Sequence, residues 1–167
     1  MNYGKAFENS FKTNWKKCFP NTFILRLPDQ MNGYYNSSNI ADFLAVNHGI
    51  LYLLECKETK EGTLHFSKLS QYDKMLSCAN LEDTFPVVII WFSSFDKIIA
   101  CPIQEVEKMK KEDKKSISLK MLEDKTYNII EIPTVKKRIF LEADYTYLYK
   151  RIKEDYIDEW EDRTSIK

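Results

Sequence analysis

Glycine and proline are scarce in this chain, which has four glycines and five prolines among its 167 residues. Flexible linkers between domains are commonly rich in these residues, and no such stretch divides the sequence. The hydrophobic fraction of 44%, with ten phenylalanines and ten tyrosines, is sufficient for a packed core and argues against disorder. The composition therefore predicts a single domain over residues 1–167.

The sequence also lacks cysteine pairs and long apolar segments. Its four cysteines are scattered without a CxxC motif, and there are only two histidines, which argues against a structural zinc site. The longest apolar run, over residues 85–92, is too short to cross a bilayer, and no apolar signal segment follows Met1. These features predict a protein with reduced thiols and no membrane contact, in the cytoplasm of a bacterial host.

Charge of either sign is not in excess, because 25 basic residues balance 25 acidic ones. A neutral chain is not typical of a non-specific nucleic-acid binder, although the distribution of charge matters more than its sum. Basic clusters occur around Lys12 and Lys16, over residues 108–120 and over residues 136–138. Each cluster taken alone is most simply a solvated surface.

Hydrophobic periodicity predicts alternating helices and strands. Helices are predicted over residues 4–19, 67–80, 103–112 and 142–160, with Ser67 as the N-cap of the second. Strands are predicted over residues 23–27, 40–46, 50–58, 86–92 and 97–101, and residues 114–132 are predicted to be irregular or short strands. This order indicates a mixed α/β (α+β) fold with a central mixed sheet flanked by helices.

Two acidic residues interrupt the apolar faces of two consecutive predicted strands. Alternation places Asp42 on one face of the first strand, and Glu55 and Lys57 on one face of the second. If His48 and Gly49 form a two-residue turn, Asp42 lies opposite Glu55, with β-carbons about 5 Å apart. A three-residue turn would break this alignment.

Two carboxylates at that distance repel each other, and a hard divalent cation removes the repulsion. Mg²⁺ accepts one or two carboxylate ligands and keeps positions for water and phosphate. Lys57 follows Glu55 on the same face about 7 Å along the strand, where an ammonium can orient water or balance charge on a phosphate. This arrangement suits phosphodiester hydrolysis, whereas the alternative is an ordinary ion pair at the end of a sheet.

The same residues resemble a nuclease signature. Residues 39–43 (Asn-Ile-Ala-Asp-Phe) and 54–59 (Leu-Glu-Cys-Lys-Glu-Thr) resemble that of the PD-(D/E)XK superfamily, and the E-x-K-E-T form is similar to the RecU Holliday junction resolvases. Residues 4–14, 66–75, 86–102 and 115–128 resemble further family segments. The resemblance implies a restriction-endonuclease-like fold and a homodimeric endonuclease that uses Mg²⁺, which Mn²⁺ can replace, to resolve four-way DNA junctions in recombination.

The resemblance also implies roles for individual residues. Asp42, Glu55 and the backbone carbonyl of Cys56 would bind the metal, and Lys57 would act on the nucleophilic water. Glu8 matches an acidic position that completes the catalytic site, although a solvent-facing helix glutamate is an equal alternative.

Predicted contacts with DNA are spread over four regions. Gln71 would contact DNA or the scissile phosphate, Thr59 would form a hydrogen bond with a phosphate, and Lys12 and Lys16 would contact DNA. The long protrusion of the family is reduced here to a stalk-like loop over residues 28–39, in which Tyr34 and Tyr35 could stack on unpaired bases. A solvated polar position is the alternative for Gln71, and exposed tyrosines often have no specific role. The family's usual proline before the catalytic aspartate is replaced by Ala41.

Two other functions remain open at this point. One is a restriction-type or repair nuclease without junction preference, and the other is a non-catalytic DNA-binding protein on the same fold. The 21 lysines against four arginines suggest an AT-rich genome, and the short protrusion suits a phage or mobile element. For a homodimer, the candidate interface residues are the aromatic side chains of Phe66, Tyr72 and Trp91.

Overall fold

The predicted fold class is confirmed by the computed structural model, which describes residues 3–28, 39–138 and 140–157. The helices are α1 Tyr3–Cys18, α2 Tyr72–Ser77, α3 Ile103–Lys111, α4 Lys120–Asp124 and α5 Thr146–Ile152. The strands are β1 Phe23–Arg26, β2 Phe43–Asn47, β3 Ile50–Thr59, β4 Thr63–His65, β5 Thr84–Phe92, β6 Lys97–Pro102, β7 Ser116–Ser118, β8 Ile130–Ile132, β9 Thr134–Lys136 and β10 Leu141–Ala143. Within these ranges no helix has the length and apolar character needed to span a membrane.

Six strands form the central sheet in the order β1-β2-β3-β5-β6-β8. Strands β3 and β5 are parallel, and the other neighbouring strands are antiparallel. A parallel pair requires a crossover connection, which β4 and α2 supply here. Two small sheets, β4–β7 and β9–β10, lie outside the central one.

The turn between β2 and β3 has the two residues that were predicted. His48 and Gly49 both adopt positive φ, at 51° and 80°, as a type I′ hairpin turn requires. Asn47 consequently pairs with Ile50, and the register continues to the pair Phe43–Leu54. The alignment on which the paired-carboxylate prediction depends is therefore present.

The central sheet buries a separate core on each face. One core joins the sheet to α1 and α5, where the Phe11 ring lies 5.2 Å from Phe43 and Trp15 lies 5.3 Å from Tyr52. The other core packs β5 and β6 against α2 and α3. On this second face, α2 and α3 leave side chains of β1 and β2 exposed, including Leu25 and Val46.

The predicted helix over residues 67–80 is wrong in extent. A single 3-10 turn, Phe66–Lys68, is closed by the bond from Leu69 N–H to the Phe66 carbonyl, and Leu69 then leaves helical geometry with ψ of 69°. Helix α2 begins afterwards, with Gln71 rather than Ser67 at its N-cap position. Leu69, at the break, is buried in the second core.

The last predicted helix also begins later than expected. Glu142 lies in β10, which pairs with β9, and the Asp144 carboxylate accepts a hydrogen bond from Thr146 N–H at 3.0 Å at the start of α5. Helical structure continues to Ile157, and the remaining predicted residues lie outside the described ranges. Residues 114–132 contain the unpredicted helix α4, and β2 begins at Phe43 rather than at residue 40.

Candidate active site

Asp42 immediately precedes β2 and is held on both sides by backbone hydrogen bonds. Its N–H donates to the Leu54 carbonyl at 3.1 Å, and its carbonyl accepts from Leu27 N–H at 2.8 Å. Because Phe43 pairs with Leu54, one further step of the register aligns Asp42 with Glu55. The backbone thus brings the two predicted acidic residues to neighbouring positions.

The Asp42 carboxylate is directed toward β3. Its Oδ2 accepts a hydrogen bond from Cys56 N–H at 2.8 Å. Burial raises the pKa of Asp42, while this hydrogen bond and the Lys57 ammonium act in the opposite direction. The carboxylate is therefore fixed in position, and burial makes its ionisation less favourable.

Glu55 is the most deeply buried charged residue described, with no exposed surface. The Lys57 ammonium lies 2.5 Å from its Oε1, and its Oε2 has no hydrogen-bond partner among the described residues. Burial raises the pKa of Glu55 to about 7, with Asp42 adding to the shift and Lys57 opposing it. A buried carboxylate oxygen without a donor is costly, and a cation would compensate it.

Lys57 remains a cation at neutral pH. Burial, the largest single influence, lowers the pKa of its ammonium, but the Glu55 and Asp42 carboxylates and the hydrogen bond to Glu55 together raise it, and the net direction is upward. Its side chain retains 23% of its exposure, so the ammonium lies between the buried carboxylate and solvent. This position suits a donor to water or phosphate rather than a base.

Glu8 reaches this region from α1. Its Oε2 accepts hydrogen bonds from Nε and Nη2 of Arg26, each at 2.7 Å, and only 17% of its side chain is exposed. Glu8 raises the pKa of Asp42 and Arg26 lowers it, as expected for electrostatic neighbours. The alternative of a solvent-facing glutamate is therefore wrong, and Arg26 is a site residue that the sequence pattern did not reveal.

The residues present fit a magnesium ion with open coordination positions. The described ranges contain no group of three or more His, Cys, Asp or Glu side chains arranged to hold a metal. Mg²⁺ needs only one or two carboxylates, with water and phosphate completing its six ligands. The unpartnered Oε2 of Glu55 is available for this purpose. The Cys56 thiol is buried in the first core, and its carbonyl as a ligand stays a prediction.

Among the predicted DNA contacts, three lie on helices. Lys12 and Lys16 follow Glu8 at four-residue spacing along α1, so all three lie near one helix face. Gln71 is half-buried at the N-cap position of α2. Their contacts with DNA stay predictions.

Thr59 is buried at the end of β3, where its hydroxyl accepts from Glu61 N–H at 3.2 Å and stabilises the turn into β4. Its contact with a phosphate stays a prediction. Tyr34 and Tyr35 lie outside the described residues, as does most of the stalk-like loop.

Comparisons with known proteins identify the family of the chain and a structure of similar fold. The family model described as "RecU: Recombination protein U" matches residues 13–146, a range that includes Asp42, Glu55 and Lys57 but not Glu8. Twenty solved chains match the structure, among them Hjc of Archaeoglobus fulgidus, a Holliday junction resolvase. That match has a TM-score of 0.53 and 18% identity over 70% of this chain and 89% of the other, and it confirms the fold. None of the curated protein sequences matches.

Proposed function

The chain belongs to the Recombination protein U family of Holliday junction resolvases, which are DNA endonucleases of recombination, and we propose that it cleaves four-way junctions with Mg²⁺. Resolvases of this family are typically metal-dependent. The observation that carries the proposal is the buried Glu55 beside Asp42, with one carboxylate oxygen unpartnered and an ammonium 2.5 Å from the other.

Asp42 and Glu55 would hold the metal ion, together with the Cys56 carbonyl, and Mn²⁺ would serve in place of Mg²⁺. The bound ion supplies positive charge that polarises the phosphate and lowers the pKa of water. Because hydrogen bonding from Cys56 N–H orients the Asp42 carboxylate, little reorganisation is needed on binding. Glu8 would complete the acidic set from α1, with Arg26 holding it in position.

Lys57 would donate a hydrogen bond to the attacking water or to a phosphate oxygen. Its charge lies beside the carboxylate that binds the ion, so it can stabilise negative charge as it develops on the phosphate. Lys12, Lys16 and Gln71 would contact the DNA backbone around the site. Tyr34 and Tyr35 would stack on unpaired bases of the junction.

We propose a homodimer, because a junction is resolved by symmetric cuts in two strands. Phe66, Tyr72 and Trp91 all pack partly against the two cores. The interface is better supplied by an apolar row on the edge strand β1 and its neighbour β2, the row Phe23, Leu25 and Val46, with 56%, 45% and 42% exposure. Large exposed apolar side chains in one row are typical of an interaction surface.

Sedimentation tests the homodimer directly. The wild-type chain is expected to sediment as a dimer, and the variant Phe23→Ser as a monomer with unchanged circular dichroism. A wild-type monomer bound to a junction would contradict the dimer.

The cellular location proposed is the bacterial cytoplasm, with residues 1–167 acting as one domain. All four cysteines are free, which suits a reducing compartment.

Cleavage of matched substrates tests the function. A four-way junction, a fork and a linear duplex of shared sequence are incubated with Mg²⁺ and either the wild-type chain or Asp42→Asn. We expect the wild type to cut the four-way junction fastest, and Asp42→Asn to bind it without cutting. Equal rates on linear duplex would instead favour a restriction-type or repair nuclease. Binding without scission at every Mg²⁺ concentration would favour a non-catalytic protein.

A further inference from the structure

A cavity of about 260 Å³ opens beside the ends of β3 and β5 and has no role in the site described above. Apart from Tyr3 and Asp96, its polar lining consists of basic and hydroxyl side chains from three segments of the chain. These include Lys60, Ser93, Ser94, Lys136, Lys137 and Arg138. We call these six residues the basic cavity.

The basic cavity carries excess positive charge. Four cationic side chains line it against a single carboxylate, that of Asp96, so its lining has a net charge of +3. Asp96 pairs with Lys136, and Lys137 pairs at 3.1 Å with Glu142 outside the cavity. Arg138 has neither an ion pair nor a hydrogen bond within the described ranges. Part of the positive charge is therefore available to a ligand.

The basic cavity is connected to the catalytic strand. Lys60 directly follows β3 and lies three residues beyond Lys57, about 10 Å along the backbone at 3.3 Å per residue, with its side chain on the α1 side of the strand and that of Lys57 on the other side. Ser93 Oγ donates to Glu58 Oε1 at 2.5 Å, which ties the cavity wall to the residue next to Lys57. Lys60 is in turn positioned over the Tyr3 ring, 4.8 Å from its centroid, at the start of α1.

We infer that the basic cavity binds a backbone phosphate of the DNA strand that the active site cleaves. Arginine, lysine and serine are the side chains that commonly donate to phosphate oxygens, and the lining contains no asparagine or glutamine to read a base. Because Lys60 follows the strand that carries Glu55 and Lys57, a phosphate here lies within a few nucleotides of the scissile one. The inference rests on the proposed function, since it assumes DNA at the catalytic carboxylates.

The position of the cavity gives it a specific role. A second phosphate contact on the same DNA strand fixes the position of the DNA backbone over Asp42 and Glu55 without selecting a base sequence. Positioning of the DNA through its phosphates alone suits an enzyme that recognises the shape of a junction rather than its sequence. Its loss should weaken binding equally for junctions of different sequence.

The first test measures salt dependence of binding without metal. Arg138→Gln and Lys60→Gln are each placed in the Asp42→Asn chain, and binding to a four-way junction is titrated at several salt concentrations. One lost phosphate contact is expected to reduce the slope of log K against log salt by about 0.9. Lys150→Gln, an exposed lysine of α5, serves as the matched control and should leave the slope unchanged. Unchanged slopes for both cavity variants would overturn the inference.

The second test locates the phosphate. A neutral methylphosphonate is placed at successive positions on either side of the cut in the junction strand. We expect one position, within a few nucleotides of the cut, to weaken binding of the parent Asp42→Asn chain but not of its Arg138→Gln variant. Equal weakening in both chains would place the contact elsewhere and contradict the inference. Because both tests measure binding without metal, failure of catalysis by the wild type is a separate result.

Discussion

The two faces of the β2–β3 hairpin have the same backbone but different side-chain environments. Toward α1, the residues Phe43, Ala45, Tyr52 and Leu54 have no exposed surface. On the other face, Val46 is exposed while the charged Glu55 is fully buried. The first face buries apolar side chains, as is usual in proteins. The second face instead exposes an apolar side chain and buries a charged one. Such departures mark the surface that carries function, because the fold alone does not require them.

The largest expected effect is on the catalytic face. Asp42→Asn should reduce the cleavage rate by about a thousandfold or more, because losing a metal ligand removes several kcal/mol of charge stabilisation. The free energy of unfolding should change little, since the amide oxygen still accepts from Cys56 N–H. Single-turnover cleavage of a four-way junction measures the rate. A rate within tenfold of the wild type would contradict the assigned role.

The opposite face should respond in stability instead. Leu54→Ala removes a fully buried side chain next to Glu55 in sequence and should cost about 2–5 kcal/mol of unfolding free energy. Urea denaturation measures this cost, and cleavage by the folded fraction should persist. If folded Leu54→Ala protein did not cleave the junction, the assignment of stability to one face and catalysis to the other would be contradicted.

Replacing Lys57 should slow the chemical step without abolishing metal binding. Lys57→Met is expected to lower the single-turnover rate by about a hundredfold, the size reported for loss of one preorganised donor. The Mg²⁺ concentration that gives half-maximal rate should shift little, because the ammonium is not a ligand. A large shift in that concentration with an unchanged maximal rate would assign Lys57 to metal binding instead.

The ionisation of Glu55 should link stability to pH in the absence of metal. Its pKa is raised from 4.5 to about 7, so the charged form is disfavoured in the folded state. This contribution to stability is complete below pH 4.5 and is lost as pH rises toward 7, by on the order of 1 kcal/mol per pH unit. Urea unfolding at pH 5 and 8 measures it.

The variant Glu55→Gln should remove that pH dependence and unfold at higher urea than the wild type at pH 8. Added Mg²⁺ should stabilise the wild type and not the variant. If the wild type and Glu55→Gln differed in free energy of unfolding by the same amount at pH 5 and pH 8, Glu55 would have an ordinary pKa.

The smallest effect is expected on the exposed part of the catalytic face. Val46→Thr should alter the free energy of unfolding of the monomer by less than about 0.5 kcal/mol, as for most surface substitutions. Sedimentation should nonetheless show weaker dimerisation, because Val46 belongs to the apolar row. If Val46→Thr dimerised as strongly as the wild type, the apolar row would not form the dimer interface.

Local chemistry explains which features could be predicted from the sequence. The turn at His48 and Gly49 determines the register, and the register alone aligns Asp42 with Glu55. The Glu8–Arg26 pair could not be found in this way, because it joins α1 to β1 through tertiary packing. The non-helical backbone of Leu69 likewise interrupts a helix whose periodicity continues. Periodicity thus identified elements and their faces, but not contacts between distant segments.

Anomalous diffraction from crystals soaked in Mn²⁺ tests the central claim most directly, since it locates the ion without reference to activity. Convergence of the two carboxylates predicts one peak per chain, at coordination distance from both Asp42 and Glu55, that is absent from Glu55→Gln crystals. A peak elsewhere, or one that persists in Glu55→Gln at the same position, would contradict the assignment of the metal to these two residues.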